Sequence, residues 1–220
     1  MFKVVRTGEP PECLANNQYN SPEIVQRLRE MFHGKCYLCE QADLSAPEIE
    51  HFEPHEGDDG LKYEWNNLYF ACSRCNSVKS NTHRNLLDCC SDEIDVVRTI
   101  KCLPPTMPDA PVQISAADHV EDLRVINTVE LLHKCFNESN TAIRGITREV
   151  LVEKLFDYLI DLLTHRRTIV NRRTTPHEKQ HAQERIEVMI QDNFEFSAFW
   201  RWYVLSDTVL RERLSDAINF

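Results

Sequence analysis

The clearest pattern along the chain is a helical repeat of apolar positions in residues 21–34. This stretch opens with Ser21, a residue type that caps helices well, and ends at Gly34, a common helix terminator. Pro22 follows the cap, at the one helical turn that tolerates proline. The apolar residues stand three or four positions apart: Ile24, Leu28 and Met31. This pattern predicts an amphipathic helix.

The second half of the chain repeats this spacing several times. Residues 147–163 place leucines at positions 151, 155, 159 and 162. Thr175 and Glu178 have the spacing of a capping box at the start of another helix. Residues 196–214 predict one strongly apolar helix, with Phe199, Trp200, Tyr203 and Val204 near one face. We therefore predict a helical C-terminal half whose aromatic residues mostly face a core.

The middle of the chain has short apolar runs instead. The stretch DLSAPEIEHF (residues 43–52) predicts a loop that enters a strand, and NNLYFACSRCNSVK (66–79) predicts a strand end, a cysteine pair and a short helix. Residues 101–115 hold four prolines and cannot form a helix. We interpret them as a connector that wraps the preceding domain.

These elements predict an α+β fold that is mostly helical. We divide it into an N-terminal segment with a capped helix (1–35), a small strand-containing domain (36–100), a proline-rich connector (101–118) and a helical C-terminal domain (119–220).

Composition and charge narrow the class of protein. Apolar residues make up 42% of the chain and charged residues 27%, and no apolar run approaches the roughly 20 residues that span a bilayer. The N-terminus has no apolar signal-peptide core and breaks at Pro10-Pro11, so we expect a cytoplasmic protein. The net charge is −10. A protein that binds nucleic acid without a partner usually presents a basic face. If this acidic chain contacts nucleic acid, it must therefore use a local group of cations or a partner's surface.

Cysteine usage indicates a metal site. The chain has nine cysteines, an odd number that argues against a closed disulfide framework. Four of them form two Cys-x2-Cys pairs whose thiolates can close a tetrahedral structural zinc site: Cys36, Cys39, Cys72 and Cys75. The alternative is a chance pairing of core thiols. The other five are interpreted as buried structural thiols: Cys13, Cys89, Cys90, Cys102 and Cys135.

A carboxylate–histidine pair, Glu50-His51, stands between the two cysteine pairs, and Asn67 and Asn76 follow it. In isolation such a dipeptide is most often a surface pair. In this order and spacing, however, IEH (49–51), WNNL (65–68) and CSRCNSVK (72–79) resemble the HNH endonucleases, many of which carry the same cysteine pairs. The resemblance implies a small ββα-metal core, in which a two-stranded ribbon and a helix surround a catalytic metal beside the structural zinc.

The resemblance also implies a role for each residue. His51 is the general base that activates water, and Asn67 bonds the backbone and orients His51. Glu50 and Asn76 bind the catalytic Mg²⁺ or Mn²⁺ through hard oxygen ligands. Glu50 replaces the family's usual aspartate and Asn76 its usual final histidine, so the identity of the catalytic metal stays open.

Three further residues are candidates for substrate contact: Lys79, Arg74 and His55. Lys79 follows the second cysteine pair on the predicted helix, and Arg74 and Arg84 complete a small cationic patch without an acid. His55, four residues beyond His51, is a candidate metal ligand or substrate contact, or a solvated loop histidine. Residues 165–185 hold six Lys/Arg against two Glu, which fits either a second nucleic-acid contact or an ordinary solvated edge.

The layout further resembles the nuclease subunits of Septu-type anti-phage systems, which work with an ATPase of the ABC/SMC type, PtuA. The leading hypothesis is therefore a metal-dependent nuclease in phage defence with an ATPase partner and with DNA as the favoured substrate. RNA is a second substrate hypothesis. The alternatives are a stand-alone HNH restriction-type nuclease and a zinc-stapled adaptor without catalysis. We expect no membrane partner.

Overall fold

The computed structural model describes residues 1–117, 120–139 and 145–220. Its first helices are a single turn, α1 (Glu12–Ala15), and α2 (Pro22–Met31). The Ser21 side chain accepts a hydrogen bond from the Ile24 amide, as its position before the apolar stripe predicts. After α2 the chain turns at Gly34, whose φ of +68° is left-handed. The predicted capped helix is confirmed.

An antiparallel ribbon follows, made of β1 (Pro47–His51) and β2 (Leu68–Cys72). The register pairs Glu50 with Tyr69 and His51 with Leu68. Between the strands lie α3 (Asp59–Lys62) and a 3₁₀ turn (Trp65–Asn67). Helix α4 (Ser73–Lys79) begins directly after β2 and packs against the ribbon. The predicted strand, cysteine pair and short helix are confirmed, and together they form a ββα unit.

The proline-rich connector differs in part from its prediction. It is not helical, but it contributes to a second two-stranded sheet, formed after α5 (Val96–Thr99) by β3 (Ile100–Leu103) and β4 (Gln113–Ala116). All four prolines lie in the loop between these strands, where no ladder hydrogen bond is needed. The predicted boundary between residues 118 and 119 lies outside the described residues.

The C-terminal half is helical, as predicted. Its helices are α6 (Leu123–Asn137), α7 (Arg148–Val170), α8 (Pro176–Met189), α9 (Ser197–Ser206) and α10 (Thr208–Arg213). The Thr175–Glu178 capping box forms at the start of α8. The single helix predicted over residues 196–214 is wrong, because Asp207 adopts an extended conformation and its carboxylate caps a new helix by accepting from the Leu210 amide.

The first and second halves share one contiguous set of buried residues. The Lys35 ammonium and the Glu40 carboxylate, 3.2 Å apart, are both buried. Glu40 also accepts a hydrogen bond from the Ser197 hydroxyl at the start of α9. The loop beside the first cysteine pair is therefore bonded directly to the C-terminal helices. The division of the chain into domains stays a prediction.

The architecture is α+β, with two small sheets and a larger helical part. Among the described residues, no helix combines the length and apolarity that crossing a membrane requires.

Candidate active site

His51 stands at the end of β1 with its ring half-buried. Its Nε2 lies 3.0 Å from the carbonyl oxygen of Lys62. Because a carbonyl only accepts hydrogen bonds, Nε2 carries the proton and Nδ1 keeps its lone pair. Burial lowers the pKa of His51, and the nearby charges of His55, Lys79 and Lys62 lower it further against the effect of the Lys62 hydrogen bond. The ring is thus held neutral, in the form that can accept a proton.

Two rings surround His51. The His55 ring lies 4.7 Å away between centroids, so this candidate lies beside His51. Its Nδ1 accepts a hydrogen bond from the Gly57 amide. The Tyr19 ring meets His51 edge-on at 5.0 Å. Sequence reasoning missed Tyr19, since nothing local indicates that a loop 32 positions earlier folds over this strand.

Asn67 fastens the loop that joins the strands. Its Oδ1 accepts from the Glu53 amide at 2.7 Å, and its Nδ2 donates to the carbonyls of Glu53 and Leu61, each at 2.9 Å. Leu61 precedes Lys62, whose carbonyl accepts the hydrogen bond from His51 Nε2. Asn67 is therefore connected to His51 through the backbone of Leu61 and Lys62, and the adjacent Asn66 is exposed.

Glu50 is buried on the opposite side of β1 from His51. It accepts hydrogen bonds from the Tyr37 hydroxyl at 2.7 Å and the Lys79 ammonium at 2.6 Å. Burial raises the pKa of Glu50 to about 7, although Lys79 and Tyr37 both favour the carboxylate. Both carboxylate oxygens are therefore engaged by neighbours within the protein.

Asn76 pairs with a residue that sequence reasoning left out. Its Nδ2 lies 2.6 Å from Glu48 Oε2. Glu50 and Asn76, predicted as joint ligands of one metal, thus have different partners, because positions 76 and 79 on α4 face positions 48 and 50 on β1 respectively. The alternation of a strand places Glu48 and Glu50 on one face, and this signal could have identified Glu48 from the sequence.

The carboxylate–amide pair fits a hard cation better than Glu50 does. Turning the Asn76 amide about its last bond would place Oδ1 beside the Glu48 carboxylate, and two such oxygens suit Mg²⁺ or Mn²⁺. Glu50 can join this set only if Lys79 leaves it.

The predicted cationic patch requires correction. The Lys79 ammonium is fully buried and also donates to the His51 carbonyl. Arg74 is likewise buried, and it donates to the carbonyls of Cys135 and Glu138 near the end of α6. Both side chains are bonded within the fold and do not form an exposed patch. Arg84 is exposed and paired with Glu56.

The four predicted zinc ligands come together. The sulfur atoms of Cys36, Cys39, Cys72 and Cys75 lie within 4.8 Å of one another, and all four residues are buried. The sulfurs of Cys39 and Cys72 are 3.8 Å apart. Zinc–sulfur bonds of about 2.3 Å in a tetrahedron require a sulfur–sulfur distance of about 3.8 Å. This thiol cluster therefore fits a zinc ion.

The other cysteines are mostly core residues, as predicted. Cys89, Cys102 and Cys135 are buried, and Cys13 and Cys90 are partly so. Asp88, Cys89 and Cys90 also bring potential ligand atoms within 4.8 Å. One Asp88 oxygen accepts from the Tyr69 hydroxyl and the Cys90 amide, so we interpret this group as a hydrogen-bonded turn.

The segment that contains this site matches a known protein family. Residues 36–82 match the family model described as HNH endonuclease, so the chain contains an HNH endonuclease domain. The matched range runs from the first cysteine pair through α4, and it includes His51 and Asn67.

Part of this chain is similar in sequence to two curated proteins. The chain is 40% identical over 79 residues to a Septu protein PtuB of Bacillus mycoides (strain KBAB4), an alignment that covers 29% of this chain and 27% of the relative. It is 37% identical over 71 residues to a Septu protein PtuB of Bacillus thuringiensis, with 31% and 27% covered. The matches thus span about a quarter of the length of each relative.

Proposed function

We propose that this chain is a metal-dependent endonuclease that hydrolyses phosphodiester bonds in nucleic acid, with DNA as the favoured substrate. The observation that carries the proposal is the His51 imidazole, which burial keeps neutral and the Lys62 carbonyl orients, within an HNH domain. Such a group can take a proton from an attacking water near neutral pH.

In this proposal His51 Nδ1 accepts the proton of the attacking water. Asn67 holds the 53–61 loop, so that the Lys62 carbonyl keeps Nε2 protonated and the ring oriented. Glu48 and Asn76 would hold Mg²⁺ or Mn²⁺, and Glu50 would join them if Lys79 withdrew. A bound divalent cation supplies positive charge beside the phosphate and the leaving oxygen. We expect products with 5′-phosphate and 3′-hydroxyl ends, which end-mapping would test.

The biological setting we propose is phage defence together with an ABC/SMC-type ATPase. The similarity to proteins named Septu protein PtuB supports this setting. The net charge of −10 and the burial of Arg74 and Lys79 support a need for a partner, because the proposed site has few exposed cations to hold a polyanion.

A cleavage assay tests the nuclease. Plasmid DNA and structured RNA are incubated with wild type and His51→Ala, with and without Mg²⁺ or Mn²⁺, alone and with the candidate ATPase. His133→Ala serves as the matched control, since His133 is an exposed histidine of α6. We expect metal-dependent cutting by wild type and the control, and a loss of about 100-fold or more in His51→Ala.

Two results would contradict the proposal. Equal cutting by His51→Ala and wild type would remove the general base from the mechanism. A lack of cutting by any variant with any metal or partner, in protein that still binds zinc, would favour the adaptor hypothesis. The preferred polymer in a positive assay would decide between DNA and RNA.

A further inference from the structure

Positively charged side chains cluster near the turn between α7 and α8, although the protein as a whole is acidic. Arg172 and Arg173 lie in the turn between the helices and are exposed. Lys179 stands one turn into α8 and is partly buried, and Arg213 is exposed in the last turn of α10. We call these four residues the basic end.

A single ion pair helps to bring α10 to this hairpin. Arg166 of α7 pairs with Asp207, and the same Asp207 carboxylate group caps α10. Lys179 and Arg213 consequently line one shallow cavity of about 270 Å³. The two cations are 34 positions apart in sequence, so the cluster is a product of the fold.

Within the described residues, none of the four basic-end cations is neutralised by an acidic partner. Several cations elsewhere are, as Arg84 is by Glu56, Arg98 by Asp95 and Arg124 by Glu93. The nearest acid in sequence to the turn, Glu178, is bonded to Thr175 in the capping box.

The cavity also has neutral donors. Its lining includes Thr174, Gln180 and Gln183 beside Lys179 and Arg213. The amides of Gln180 and Gln183 donate to Glu184 and Glu187, one turn further along α8, and this keeps those carboxylates occupied. Cations together with hydroxyl and amide groups are the side chains that contact nucleic-acid phosphates. The cavity volume is ample for a single phosphate group.

We propose that the basic end is a second nucleic-acid-binding surface, which holds the phosphodiester backbone without reading its sequence. It would supply exposed positive charge to a chain in which Arg74 and Lys79, beside the candidate active site, are buried. Binding there is expected to be weak and sensitive to salt, since few cations take part and each phosphate contact releases counterions. Nothing in this proposal depends on cleavage.

The test is a binding assay in a background that cannot cut. Full-length His51→Ala is titrated into labelled duplex DNA, single-stranded DNA and RNA at several salt concentrations, with fluorescence anisotropy as the readout. The test variant adds R172Q, R173Q and R213Q. The charge-matched control instead adds R27Q, R29Q and R98Q, and a rescue variant adds R172K, R173K and R213K. Thermal unfolding checks that each variant is folded.

We expect the test variant to lose about tenfold or more in affinity at low salt, and the slope of log affinity against log salt to fall by about three. The control and the lysine rescue should bind like the parent, and a similar loss for all three polymers would identify the phosphate backbone as the ligand. Equal binding by the test variant and the control would overturn the proposal.

The same assay separates this proposal from the nuclease. If wild type never cuts but the test variant still loses polyanion affinity, the basic end stands and the proposed activity fails. If wild type cuts and the basic-end substitutions leave binding unchanged, the reverse holds.

Discussion

His51 depends on neighbours that hold its ring and its protonation state. The Lys62 carbonyl selects the tautomer, and Asn67 holds the loop that carries that carbonyl. On the other face of the strand, Glu48 and Glu50 take different partners from α4. Removal of each side chain would therefore leave a different group without a hydrogen-bond partner, so mutations can separate the roles of these residues.

Asn67→Ala should cost about 2–4 kcal/mol of stability and lower the cleavage rate by about tenfold or more. The substitution removes the three hydrogen bonds of the Asn67 side chain. It leaves the Glu53 amide and the carbonyls of Glu53 and Leu61 without a side-chain partner in the loop. Chemical denaturation and cleavage kinetics would measure the two effects. The neighbouring exposed Asn66→Ala is the control, and an equal effect of both changes would contradict the positioning role.

Glu48→Gln and Glu50→Gln should separate metal binding from folding. We expect Glu48→Gln to weaken Mn²⁺ binding by about 10-fold or more, as seen by electron paramagnetic resonance titration, with little change in stability. Glu50→Gln should instead destabilise the fold by about 3 kcal/mol, because it leaves the Lys79 ammonium buried without a charge partner. Loss of Mn²⁺ binding in Glu50→Gln at unchanged stability would restore Glu50 as the principal ligand.

Helices and strands were predictable where local signals agreed. The Ser21 cap, the capping box before α8 and the leucine repeat of α7 all form, because each is a contact within one or two helical turns. The break between α9 and α10 was missed because the apolar pattern continues across it. Asp207 had a signal of its own, since an aspartate three residues before Leu210 is a good N-cap.

Asp207→Asn should destabilise the protein in a pH-dependent way. Although burial raises the pKa of Asp207, the hydrogen bond and ion pair with Arg166 and the amides of α10 lower it below the ordinary 3.8. A lowered carboxyl pKa contributes stability above the unfolded pKa, and that stability is lost as the pH falls below about 3.8. Urea unfolding should show wild type about 1–2 kcal/mol more stable near pH 7, with the difference shrinking at acidic pH. A difference that stays constant with pH would contradict the ion pair's role.

Over the whole molecule, the HNH domain does not stand apart from the helices that follow it. The Lys35–Glu40 pair is bonded to Ser197, and Lys35 also donates to the Phe194 carbonyl. Arg74 reaches α6 in the same way from the second cysteine pair. Both cysteine pairs are therefore braced by residues more than 50 positions away.

A double-mutant cycle at the buried Lys35–Glu40 pair tests whether the two charges are energetically coupled. Glu40→Leu alone should cost about 3–5 kcal/mol because it leaves Lys35 buried without its carboxylate, and adding Lys35→Met should recover part of that loss. The recovery is partial because Glu40 also pairs with the buried Met1 ammonium. Chemical denaturation and zinc content would be measured together. This distinguishes loss of the thiol cluster from loss of the Lys35–Glu40 contact with the C-terminal helices. Additive single effects would mean that the two charges are not coupled.

The local sequence was sufficient for the ββα unit, the thiol cluster and the position of His51. Each rests on short-range spacing: two Cys-x2-Cys turns, a strand that ends at the histidine, and a helix that starts at the second cysteine pair. The same spacing placed Asn67 beside the loop it fastens.

Partners across the fold could not be read from spacing, because a side chain's environment depends on which distant elements pack against it. Lys79 and Arg74 look like phosphate contacts in the sequence, yet packing buries them against Glu50 and the end of α6. Tyr19 reaches His51, and Arg213 reaches Lys179, only after distant segments meet. Burial and long-range pairing, which set the charge available at a surface, were decided by the packing of the whole chain.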